Sequence, residues 1–132
     1  MRNIIVLNKA MGREQKTIRI PPDFLGDVTN KAYDYKAGQT VEVTTLRSIT
    51  DEFGMEDAIL KMNCEGCEYE ALLGSDEEVL RRFSDVVLYY HRGRSLFDEF
   101  MARKGFDCQT VFDHPVQGTL WLRRKELEYR EG

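Results

Sequence analysis

The chain has 132 residues and a mass of 15.4 kDa, the length of one domain, with 42% hydrophobic and 32% charged residues. That balance excludes a disordered chain, and a core of this size folds without a metal or disulfide staple. A net charge of -4 disfavours a broad nucleic-acid surface, and no apolar run approaches the ~18 residues of a membrane span.

The first residues, up to Ala10, carry a short apolar run but no small-residue cleavage site. No signal peptide is read, and a cytoplasmic location is expected. Three cysteines, Cys64, Cys67 and Cys108, make no even disulfide set, so reduced thiols are expected.

In chain order, the continuous apolar run Ile4 to Leu7 predicts a buried strand. Lys16 to Ile20 alternates and predicts a second, stopped by Pro21 and Pro22. Residues 21–39 are polar and irregular. Tyr33 and Tyr35 there suit either an acceptor-binding lip or a homodimer contact. Gln39 to Leu46 predicts a strand, and Ser48 to Phe53 a short helix that Gly54 ends. Ala58 to Met62 is a strand, apolar except for Lys61. A helix is expected from Glu65 to Leu73, closed by Gly74. Ser75 opens another, with Glu78 as its capping-box partner and Val79, Leu80 and Phe83 as its buried stripe. Asp85 to Tyr90 is a strongly apolar strand. Ser95 caps a helix in which Leu96/Phe100 and Phe97/Met101 are i, i+4 pairs, and Gly105 ends it. Phe106 to Phe112 and Thr119 to Arg123 are two strands joined by a hairpin turn that carries His114. Trp121 in the last strand reads as core.

Strand, helix, strand, helix and a terminal strand pair describe an α/β sheet, mostly parallel with an antiparallel edge and helices on its faces. The single domain divides into a strand-rich part (1–46), an α/β part (47–124) and a charged tail (125–132). Ligands of such sheets bind at the carboxyl ends of strands. That rule selects Asn8-Lys9-Ala10, Asn63-Cys64-Glu65-Gly66 and His91-Arg92-Gly93.

The run Ile59 to Glu68, followed by Leu72-Leu73-Gly74, resembles the signature of the FkbM methyltransferase family, a strand ending in Lys-x-Asp-x-Glu-Gly-x-Glu and a Leu-x-Gly helix end. Asn8-Lys9-Ala10-Met11-Gly12, Thr45-Leu46, Val86 to His91 and Gly105-Phe106 resemble further family segments in the right order. The resemblance implies an S-adenosylmethionine-dependent O-methyltransferase on a truncated Rossmann-like sheet. It implies that Asn8, Ala10 and Asn63 line the cofactor. Three departures stand beside it. No G-x-G-x-x-G occurs, Asn63 replaces the family's Asp, and Arg47 replaces the Asp of Thr-Leu-Asp. An incomplete cofactor site is expected, completed by a homodimer partner or a complementary chain; Ile4 to Leu7 is expected either to pair with a strand other than its family neighbour or to have its edge covered by a second chain.

Among the chemistry-bearing residues, His91 suits a general base on a substrate hydroxyl. Glu65 is the alternative base, and Asn63 would orient substrate or cofactor. The plain alternatives are that Asn63 caps a helix, Glu65 sits in its first turn, and His91 closes a strand. Cys64 and Cys67 form a C-x-x-C, read as inert buried thiols ahead of a redox or half-zinc site, so no metal is assigned. A non-catalytic remnant that binds a protein or small ligand is the competing function.

Overall fold

The residues make two small sheets, both mixed and mainly antiparallel. The computed structural model describes residues 3–24 and 34–127. The first sheet contains β1 (Ala10–Met11), β2 (Lys16–Ile20) and β3 (Gln39–Thr44), in the order β1-β3-β2. The second contains β4 (Ala58–Met62), β5 (Phe83–Tyr90), β6 (Phe106–Phe112) and β7 (Gly118–Arg124), in the order β4-β5-β7-β6. Helices α1 (Leu46–Glu52), α2 (Cys67–Leu73), α3 (Glu77–Leu80) and α4 (Ser95–Arg103) connect them.

This corrects the expected mostly parallel, Rossmann-like sheet. Only β1 with β3 and β4 with β5 are parallel. The pairs β2–β3, β5–β7 and β6–β7 are antiparallel. The cause lies in the last connection. The short turn after Phe112 reverses the chain, and β7 inserts between β5 and β6, so β5 meets an antiparallel neighbour instead of β6. Nothing in the strand compositions encodes that insertion.

The expected strand at Ile4 to Leu7 does not form. Ile4, Ile5 and Val6 are 69%, 67% and 84% exposed. An apolar run supplies no hydrogen-bond partner by itself, and β3 is met only at Ala10 and Met11. Tyr33 lies outside the described residues. Trp121, expected in the core, is 36% exposed, and its indole N–H donates to Asp85 Oδ1 at 2.8 Å. The β7 alternation explains this, since Leu120 and Leu122 take the inner face and Trp121 the outer.

The core lies on one face of the second sheet. Val86, Leu88, Tyr90, Leu120 and Leu122 are fully buried against Leu72, Leu80, Phe97 and Met101 from the helices. Each such large side chain contributes about 1.5–3 kcal/mol by leaving water. The opposite face carries exposed Ile59 and Trp121. Thr45 caps α1 by accepting the Ser48 N–H at 3.1 Å, so the helix starts at Leu46, ahead of the expected Ser48. A bulge interrupts β6 between Thr110 and Phe112.

Candidate functional site

Because β4 and β5 are parallel neighbours, their carboxyl ends lie together. After Met62 the chain makes a tight turn before α2. Glu65 (φ 54°) and Gly66 (φ 114°) are both left-handed there. A Cβ on Gly66 would come within 3.2 Å of the movable end of Arg92, so it is the backbone conformation that calls for glycine.

The turn is closed by a disulfide between Cys64 and Cys67. This corrects the expectation of two reduced, inert thiols. Both residues are half-buried.

The turn brings two carboxylates to His91 at the end of β5. Glu68 is wholly buried, and its Oε1 lies 2.6 Å from His91 Nδ1. Its Oε2 accepts the Gly66 N–H at 2.9 Å. Oε2 also lies 3.3 Å from Cys64 Sγ, a contact without a proton while that sulfur is in the disulfide. On the other ring nitrogen, Nε2 is 3.2 Å from Glu65 Oε1. That approach is off the direction of a hydrogen bond, and Nε2 is buried without another partner. The His91 side chain is 8% exposed, whereas that of Glu65 is 36% exposed. Glu65 therefore covers the imidazole. In the tautomer whose Nδ1–H donates to Glu68, Nε2 is the acceptor that faces Glu65.

Tyr69 fixes the other side. Its hydroxyl donates to Gly93 O at 2.7 Å and accepts the Arg92 N–H at 2.8 Å. Burial, the largest influence, pushes this phenol above its usual range, so it stays a neutral donor. Tyr89 meets the His91 ring edge-on at 4.9 Å between centroids.

A cavity of about 600 Å³ opens beside the turn, lined by Ala10, Arg13, Cys64, Glu65, Cys67 and Arg92 among others. Its size is that of a small-molecule site. Of the residues selected at the three strand ends, Lys9, Ala10, Cys64, Glu65, Gly66 and Arg92 line it. His91 lies behind Glu65. Asn8 and Asn63 are exposed and outside the lining.

Glu68 and Tyr69 were missed as site residues. The signal for Glu68 was the last glutamate of the quoted motif, one step past Cys67 on α2 and turned inward. Cys64, Cys67 and Glu68 place three ligand-type atoms within 4.8 Å. With the sulfurs joined, neither is a thiolate, and only the carboxylate could serve a cation. A second polar group links α4 to β6. Asp98 Oδ1 accepts the Cys108 thiol at 2.9 Å and Arg94 Nη2 at 3.0 Å. No helix among the described residues is long and apolar enough to cross a membrane.

A family model described as the methyltransferase FkbM domain matches residues 3–112. No curated protein and no solved structure matches the chain.

Proposed function

The chain belongs to the FkbM methyltransferase family, and from that premise we propose that it serves O-methylation, with Glu65, His91 and Glu68 as its proton-handling group. The observation that carries this reading is the file of side chains Glu65–His91–Glu68, open to the cavity only at Glu65.

The cavity suits S-adenosylmethionine in two respects. Its volume is adequate, and its lining mixes carboxylates with Lys9 and Arg13, as a zwitterion with a sulfonium requires. Arg13 and Lys9 would face the carboxylate of that cofactor, Glu70 its ammonium, and Ala10 would lie along it. Asn8 and Asn63 would close its rim. Bound there, S-adenosylmethionine supplies an electrophilic methyl group. The sequence has no G-x-G-x-x-G, so the close backbone approach to the cofactor would come from outside these residues, with a second copy or a complementary chain as the proposed source.

The residues of this chain then manage the acceptor. A hydroxyl in the cavity hydrogen-bonds to Glu65, which removes its proton as the oxygen becomes nucleophilic. His91 Nε2, 3.2 Å from Glu65 Oε1, takes the proton once the Glu65 carboxyl swings onto the axis of the ring nitrogen. The imidazolium so formed is held by the Glu68 carboxylate at 2.6 Å. Asn63, at the end of β4, would orient the acceptor from the rim.

The test is calorimetric titration of the folded protein with S-adenosylmethionine and S-adenosylhomocysteine, followed by transfer assays on a panel of hydroxyl acceptors. Saturable binding with transfer that His91→Ala reduces at least about a hundredfold supports the reading. No heat at millimolar ligand sinks it. Binding without transfer favours the alternative, a ligand-binding module; the covered Nε2 of His91 is the observation on its side.

A further inference from the structure

We propose that Cys64 and Cys67 form a reversible redox pair, whose substrates are thiol compounds that exchange with the bond from the cavity. The bond is formed, and both cysteines line the cavity, so an incoming thiol need not cross the core. A structural staple is a poor account of it. The loop it closes spans only Cys64 to Cys67, and short loops constrain an unfolded chain least. The core of the second sheet is also continuous without it.

The surroundings supply the chemistry of opening. An external thiolate attacks Cys67 Sγ, the S–S bond breaks, and Cys64 leaves as the thiolate. The proton shed by the external thiol returns to the Cys64 thiolate through the buried pair: His91 takes it at Nε2 and gives its Nδ1 proton to Glu68, whose Oε2, 3.3 Å from Cys64 Sγ, passes it on. A second external thiol then attacks the mixed disulfide on Cys67. It releases an external disulfide and leaves its proton on Cys67. Two thiols have become one disulfide, and each cysteine has gained one hydrogen.

Opening also has a geometric effect. The closed bond spans Glu65 and Gly66, both at positive φ. A glutamate relaxes from that conformation once the span is released. Glu65 is the group that covers His91 Nε2. The thiol state therefore governs access to the imidazole.

The proposal is tested on the full chain in glutathione buffers stepped from oxidised to reduced, with alkylation and mass spectrometry counting free thiols. The oxidised protein should show one, Cys108, and the reduced protein all three. Cys64 and Cys67 should convert together within the glutathione range, while circular dichroism shows the fold kept. A bond that stays closed at the most reducing ratio, yet opens in urea with a strong dithiol, overturns the proposal in favour of a structural staple. Two thiols that stay open at the most oxidising ratio overturn it in favour of inert cysteines. Glu68→Gln should slow opening by glutathione at least about tenfold if the carboxylate delivers the proton. An unchanged rate in folded variant removes Glu68 from the step. The readout is thiol count, so it stands whether or not methyl transfer is found.

Discussion

Replacing Glu68 by alanine is the sharpest test of the site's architecture. The wild-type carboxylate is fully buried and satisfies two groups, the Gly66 N–H at 2.9 Å and His91 Nδ1 at 2.6 Å. Alanine leaves both unpaired in a dry place. Each orphaned group costs about 1–3 kcal/mol, and breaking a buried pair costs about 3–5 kcal/mol in total. A urea slope for a domain of this size is about 2 kcal/mol/M, so the midpoint should fall by about 2 M. Trp121 is the only tryptophan and lies on β7, so its fluorescence reports the transition. Glu68→Gln keeps an amide oxygen for Gly66 and should cost only about 1–1.5 kcal/mol, the difference between a charged and a neutral hydrogen bond. If the alanine variant unfolds within about 1 kcal/mol of wild type, Glu68 is not holding His91, and the proton-handling file does not exist as described.

Gly66→Ala should destabilise by roughly 1–3 kcal/mol, because φ 114° is a conformation alanine adopts only under strain; equal urea midpoints would refute this. Phe97→Ala should cost about 3–5 kcal/mol, since the ring is wholly buried and tilted against Tyr69 at 4.6 Å between centroids; denaturation again measures it. Burial first, and Asp98 second, push the Cys108 thiol up to about 12. Its contribution is full below the unfolded value of 9.0 and is lost as pH rises towards about 12, because the unfolded chain ionises first. Alkaline denaturation of Cys108→Ala should therefore lack that part of the slope. Asp98 is held below the usual carboxylate range, chiefly by its hydrogen bonds from Arg94. Its contribution is present above the unfolded pKa and lost as pH falls through the depressed value, so Asp98→Asn should flatten the acid limb.

Local signals were legible wherever one element decided its own fate. The alternation of Lys16 to Ile20, the β4 run and the glycine at 74 located β2, β4 and the end of α2 within a residue or two. The partner of each strand was not legible. Ile4 to Leu7 had the composition of a strand and found no neighbour, and β7 chose β5 for reasons set by the whole chain. The site divided the same way. His91 and Glu65 were visible as polar residues after core strands. Glu68 became a site residue only when α2 turned it inward. The disulfide was hidden because odd cysteine counts argue about sets, while a three-residue separation lets two of them meet in one turn.

The bulge in β6 has a consequence for how this molecule meets its neighbours. An unbroken edge strand offers donors and acceptors at fixed spacing, a template on which another chain can grow. Past Thr110 that spacing is lost. A visiting strand can follow the edge only along the stretch with exposed Asp107 and Gln109, where a carboxylate and an amide resist dry packing. The interruption falls where Val111 and Phe112 are exposed, so the most adhesive side chains of the edge lie where its backbone is least able to recruit a strand.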